Sequence, residues 1–172
     1  MEKMTIGMFG TCGGSKWRDR FIKQYKSLGI PFFNPQKDNW KPEDAMVEAE
    51  HLANDNIILF PITDETYAFG SLGEVGFSIL NAIKLNSNRD IIVMIDPEVN
   101  VPHENACIAE IIMFEAQEKD SKRARTLVSA HLRNINHPNV YMVDNLADML
   151  WLSVDLYNLQ LMRQTARKKY AI

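Results

Sequence analysis

Cysteine is scarce. The 172 residues contain only Cys12 and Cys107, which supply neither a disulfide framework nor the paired spacing of a zinc site. The four histidines, His51, His103, His131 and His137, are scattered, and no two have zinc-ligand spacing. The reading therefore calls for no metal and no organic cofactor. An excess of positive charge is also lacking: 19 Lys and Arg stand against 22 Asp and Glu, for a formal net charge of −3. That balance gives no global attraction to a nucleic acid polymer or an anionic membrane. No apolar run approaches the roughly 20 residues of a membrane span. Met1-Glu2-Lys3-Met4 leads directly into strand-like sequence, so the expectation is a cytoplasmic protein without a signal peptide. Repeats, low-complexity segments and linkers are missing too. What remains is an ordinary globular composition, 46% apolar and 24% charged, in a length that fits one domain spanning residues 1–172.

Along the chain, strand-like and helix-like stretches alternate. Residues 5–10, 30–33, 56–62, 90–95 and 139–143 read as strands. Residues 15–27, 42–53, 71–85, 104–133 and 144–168 read as helices, the first closed by Gly29 and the fourth interrupted near Asp120. Five strands alternating with helices predict a parallel sheet covered on both faces. Right-handed crossovers lead to a flavodoxin-like three-layer sandwich, with a helical C-terminal extension from about residue 144. The last helix carries two apolar stripes. Leu146, Met149, Leu150, Val154, Tyr157 and Leu161 form one, and Leu152, Leu156 and Leu159 the other. One stripe suffices to cover a sheet, so the second predicts a homo-oligomer contact.

Three clusters could carry chemistry. Gly10-Thr11-Cys12-Gly13-Gly14-Ser15 follows the first strand and opens a helix, with Arg18 close behind. Glycines let backbone N–H groups approach an anion, a helix start favours negative charge, and an arginine could clamp it. The same pattern also fits a tight turn capped by Ser15. After the second strand, Asn34-Pro35-Gln36-Lys37-Asp38-Asn39-Trp40 offers polar groups and a ring on which a base or sugar could stack, or simply surface turn chemistry. Third comes Gly70-Ser71-Leu72-Gly73-Glu74-Val75-Gly76, after the apolar run 57–60 and leading into a helical pattern. This predicts Glu74 in the first turn of a helix, where the macrodipole would keep it ionised and nucleophilic. The competing reading is a capping box between Ser71 and Glu74. Asp55, beside Asn54, stands at the entrance to the third strand.

These elements together resemble the nucleoside 2-deoxyribosyltransferase-like superfamily, which also holds the deoxynucleoside 5′-monophosphate N-glycosidases. The resemblance covers about residues 4–97: the glycine-rich first loop, Phe33-Asn34-Pro35, Asn54-Asp55, and the Gly-x-x-x-Glu-x-Gly element ending in Gly76. It implies a flavodoxin-like homo-oligomer acting on a nucleoside or nucleotide, with sites near subunit contacts. Glu74 matches the catalytic glutamate that attacks the anomeric carbon and expels the base. Asp55 matches an acidic residue that contacts the nucleoside, and is the candidate general acid. Gly10, Thr11, Gly13, Gly14, Ser15, Arg18, Asn34, Trp40, Gly70 and Ser71 are the expected substrate-binding positions. Two departures stand out. The transferases' tyrosine near the end of strand one is replaced by Gly7-Met8-Phe9, with Tyr67 as a possible substitute, and their aspartate six residues before the glutamate is Ala68 here. Transfer of the sugar to a second base is the leading expectation. Hydrolytic nucleoside 5′-monophosphate N-glycosidase action is the alternative, and a nucleotide-binding module without catalysis is the alternative of another class.

Overall fold

The computed structural model describes residues 4–84, 88–104 and 106–170, with the side chains of Ala82 and Ile83 left aside. The expected helix end at Leu85 and the N-terminal reading on Met1, Glu2 and Lys3 lie outside the described residues.

Ten elements alternate in chain order: β1 (Ile6–Met8), α1 (Trp17–Leu28), β2 (Phe32–Phe33), α2 (Asp44–Asn54), β3 (Ile57–Ile62), α3 (Phe69–Lys84), β4 (Asp90–Ile95), α4 (Ile108–Asn134), β5 (Val140–Met142) and α5 (Leu146–Tyr170). The five strands form one sheet in the order β2-β1-β3-β4-β5, and every pairing is parallel. This is the flavodoxin-like order, and the fold is an α/β three-layer sandwich.

Period-two alternation along the buried strands sends side chains to two separate cores. Ile6, Met8, Ile57, Leu59, Ile92 and Met94 pack against Trp17, Phe21 and Tyr25 of α1 and Met149, Leu150, Val154 and Leu156 of α5. On the other face, Ile58, Phe60, Ile62, Ile91 and Val93 meet Leu72, Val75 and Ile79 of α3 and Leu132 of α4, with Leu52 of α2 at the margin. Gly29 closes α1 as expected: at φ 66° it adopts the left-handed conformation, while the N–H of Ile30 bonds to the carbonyl of Tyr25.

Three sequence expectations shift. α4 runs unbroken from Ile108 to Asn134; Asp120 causes no interruption, and the adjacent Ser121 faces inward and donates to the carbonyl of Tyr67 at 2.8 Å. α3 starts at Phe69, two residues before the expected Ser71. The second stripe of α5 does not face outward as a unit. Leu156 is buried and Leu152 packs on the protomer's own core, leaving Leu159 exposed. A helix seated on a twisted sheet and beside α1 uses a wider apolar arc than one stripe.

Two fully buried arginines tie off the carboxyl ends of the strands. Arg18 donates to the carbonyls of Met8, Phe9, Gly10 and Thr11. Arg125, on α4, donates to the carbonyls of Ile62, Thr63, Thr66 and Asp96. Strand ends and loops leave acceptors that a sheet ladder cannot satisfy, and a guanidinium carries five donors in a fixed fork. The Arg125→Met variant keeps the apolar stem but removes the donors from those four carbonyls. It should lose about 3 kcal/mol or more, since each buried unsatisfied acceptor costs roughly 1–3 kcal/mol. The check is a fall in the urea midpoint at unchanged slope.

Candidate functional site

The carboxyl end of β1 turns through the glycine-rich loop into α1. Gly10 sits at φ 90°, and a Cβ there would stand 2.5 Å from the carbonyl oxygen of Pro61, so the loop can press against β3 only without a side chain. Thr11 completes the join. Its N–H bonds to the Pro61 carbonyl at 2.9 Å, and its hydroxyl accepts from the N–H of Thr63 at 2.9 Å while donating to Pro61 at 3.2 Å. Thr11 is therefore a fully buried tie between two loops, not a group presented to a ligand.

Gly13 and Gly14 are exposed and, with Cys12, line a cavity of about 490 Å³. Its other wall is the loop after β2, including Trp40, and Glu48 of α2. α1 begins without a side-chain cap. Ser15, the expected cap, is buried with its hydroxyl unpartnered. The first turn thus keeps N–H groups for an incoming oxygen. Arg18 is not the expected direct clamp. It is 1% exposed, lies beneath the loop with its donors on backbone carbonyls, and stacks 4.4 Å over the Trp17 ring. It also reaches Cys12 Sγ at 3.5 Å. Its contribution to the cavity is its charge, felt by Glu48 and Glu74. Lys37, also at the cavity, is held by Asp44 at 2.7 Å.

Glu74 lies in the second turn of α3, since the helix starts at Phe69. The macrodipole acts mainly within the first turn, so it is not what sets this carboxyl's ionisation. Burial pushes the Glu74 carboxyl above its ordinary range, the charge of Glu48 pushes it further, and Arg18 opposes both. The capping-box reading also fails on position: Ser71 is itself helical, and the first α3 bond runs from the N–H of Leu72 to the carbonyl of Ala68. Gly70 and Ser71 are first-turn residues of α3 that do not line the cavity. Ala68, where the resemblance expects an aspartate, takes φ 54°, a left-handed conformation that is strained for a residue with a side chain.

Glu48 is the group that sequence reading missed. It lines the cavity, interacts electrostatically with Glu74, and accepts a 2.6 Å hydrogen bond from the indole N–H of Trp40. Trp40 is half-exposed, so it lends a ring to the cavity and a donor to the carboxylate.

The remaining candidates lie elsewhere. Asp55 precedes β3, at the amino end of a parallel strand, whereas the cavity is at the carboxyl ends. From Glu48 it lies seven residues on, roughly 10 Å along the helix axis. Its Oδ1 pairs with His51 Nδ1 at 2.9 Å, and its Oδ2 rests against Gly7 without a hydrogen-bond partner. Asp55 thus lies at the end of the strands opposite to the cavity, and the carboxyl group that acts on the ionisation of Glu74 is Glu48. The Asn34 carboxamide accepts from the N–H of Gln36 at 3.1 Å, a turn-forming role. Tyr67 does not substitute for the missing tyrosine: its hydroxyl is 3.2 Å from His103 Nε2 and its carbonyl takes the Ser121 hydroxyl. Among the described residues no cluster of His, Cys, Asp and Glu could hold a metal ion, and no helix is long and apolar enough to cross a membrane.

No family model matches the chain, and no curated protein matches it.

The upward shift of Glu74 has a sign that can be tested. A carboxyl that binds its proton more tightly folded than unfolded stabilises the protein below its ordinary pKa of 4.5. That contribution is lost as pH rises through the folded value. Glu74→Gln cannot ionise. It should melt higher than the parent at about pH 7, and the difference should vanish at about pH 4. Paired thermal melts at the two pH values are the check.

Proposed function

We propose that the protein cleaves the N-glycosidic bond of a nucleoside or nucleotide and transfers the sugar to another base, through a covalent glycosyl ester on Glu74. The observation that carries this reading is Glu48, which lines a cavity with glycine N–H groups on one wall and Trp40 on the other and which interacts electrostatically with Glu74 behind that lining. Paired carboxylates at a glycosidic carbon allow a double displacement. Ionised Glu74 attacks the anomeric carbon as the bond to the base nitrogen breaks. The electron pair leaves with the base, which takes a proton from Glu48. A second base then attacks the same carbon, the ester bond returns its electrons to Glu74, and Glu48 recovers a proton. The uncapped start of α1, backed by the charge of Arg18, suits a 5′-hydroxyl or 5′-phosphate. The glycine-flanked glutamate that resembles the deoxyribosyltransferase-like superfamily supports the same chemistry. A cytoplasmic setting agrees with two free, exposed cysteines.

Mass spectrometry of the protein with single nucleosides and monophosphates, each with and without a second free base, tests the reading. New nucleoside in the presence of the second base is the expected result. Free sugar released at an unchanged rate would replace transfer by hydrolysis, and binding without turnover would leave a non-catalytic module. Glu74→Gln should abolish turnover in a folded protein. Glu48→Gln should lower kcat by about 10²–10⁴-fold, the range for loss of a general acid–base group. Near-normal activity in either variant would refute its role.

The same reading includes a homo-oligomer, and α3 and α4 offer it a contact besides the exposed Trp151, Leu159, Leu161 and Met162 of α5. Phe69, Phe77 and Leu80 of α3 and Ile108, Ile111, Ile112 and Met113 of α4 are all exposed, an apolar density uncommon on a monomer's surface. Phe77→Lys with Ile112→Lys should shift sedimentation toward a smaller species, while a wild-type chain that is monomeric at every concentration would rule the assembly out.

A further inference from the structure

A second cavity, of about 300 Å³, lies at the opposite end of the sheet from Glu74. Asn56, Asp90 and Asn139 place it at the amino ends of β3, β4 and β5, and the outer wall is the last third of α5. Every residue lining it is polar. Arg163 and Arg167 are one turn apart on α5, and Arg89 lies across from them. Arg89 is 9% exposed and donates to the carbonyls of Leu52 and Ala53, capping the end of α2.

This grouping runs against the chain's character, because the protein as a whole carries a net negative charge. Like charges one turn apart on a helix repel, and neither Arg163 nor Arg167 has a carboxylate within salt-bridge distance among the described residues. The one acid in the wall, Asp90, is buried and turned to other tasks. It accepts from Gln160 Nε2 at 2.6 Å and from the Tyr141 hydroxyl at 3.3 Å. Three arginines therefore line the cavity with one carboxylate, which already feels the charge of Arg163, while Arg89 also interacts with Asp55. Around them are the carboxamides of Asn56, Gln160 and Gln164. Asn56 Oδ1 accepts from the N–H of Thr5, Gln160 Nε2 is given to Asp90 and Gln164 Nε2 to Met4 Sδ, which leaves the Asn56 amide nitrogen and the Gln160 and Gln164 oxygens toward the cavity.

We propose that this cavity binds a small organic phosphate, with Arg163 and Arg167 on the phosphate oxygens and the carboxamides on the polar edge of the organic body. Guanidinium forks match phosphate oxygens in pairs, and Arg89 adds a fixed charge on the floor. The site is separated from the cavity at the glycine-rich loop by the length of the sheet, so its occupancy does not compete with the proposed substrate.

Titration calorimetry on the full chain at low salt, with pyrophosphate and with adenosine 5′-monophosphate as probes, tests this. Arg163 and Arg167 are exposed, so the double variant Arg163→Gln with Arg167→Gln should fold normally. Both probes should bind the parent, more weakly as salt rises, and the double variant should bind each at least about tenfold more weakly. Glu74→Gln should leave this arginine-dependent binding unchanged. No binding to the parent at millimolar probe, or equal binding in the double variant, would overturn the proposal; the latter would assign the anion to the glycine-rich loop. Arginine-dependent binding of pyrophosphate alone would overturn the part played by the carboxamides.

Discussion

The carboxyl end of this sheet is held by guanidinium groups in place of ladder bonds. β1 ends in four carbonyls gathered by Arg18, and β3 and β4 end in carbonyls gathered by Arg125. Parallel strands release their last acceptors where the loops that build a site must begin. Satisfying those acceptors from below, with a buried and permanently charged donor, leaves the upper surface of each loop clear. The cost is desolvation of two cations. Burial lowers the pKa of both, while nearby acids pull the other way: Cys12, Glu48 and Glu74 for Arg18, Asp96 and Asp64 for Arg125.

That arrangement links fold to chemistry. Arg18 stabilises the loop through its donors and the site through its charge. It restrains the rise in Glu74 that burial and Glu48 produce. Without a cation nearby, burial and Glu48 would push the Glu74 carboxyl still higher; a cation in direct contact would pull it down. A guanidinium spent on backbone carbonyls sits between these limits, acting across space without a salt bridge to either acid. The bond from Thr63 to Thr11 then couples the loop over Arg18 to the segment leading into α3, so Glu74 and the glycine wall are positioned by one connected piece of backbone.

Much of the architecture was legible in the sequence because two periodicities are clean here. The buried run of β3 and the Gly29 stop of α1 identify their elements unaided, and alternation then implies the parallel sheet. Glu74 drew attention for a local reason, its glycine flanks after a strand, although the structure sets it one turn deeper into α3 than those flanks suggested. Glu48 carried no such mark. It is one of several acids on or before α2, with Glu43, Asp44 and Glu50, and only its bond to Trp40 at the cavity and its effect on Glu74 select it. The placing of Asp55 could have been anticipated: a residue that enters a parallel strand lies at the end opposite to a loop that leaves its neighbour. Arg18 was read as a clamp because sequence shows a charge near a loop but not which side it lies on. The outward stripe of α5 failed for a related reason, since periodicity reports a helix's apolar arc and not how deeply the helix is set into its neighbours.

Trp40 joins two features usually kept apart. Its ring is half open to the cavity, and its N–H is committed to Glu48. The other tryptophans lie away from that contact: Trp17 is buried at the start of α1 and Trp151 is on α5. An indole whose hydrogen-bond acceptor is a carboxyl on the cavity wall is an optical reporter that needs no label. A ring that stacks on its open face would change its emission, so occupancy of the cavity is readable in the fluorescence of one side chain.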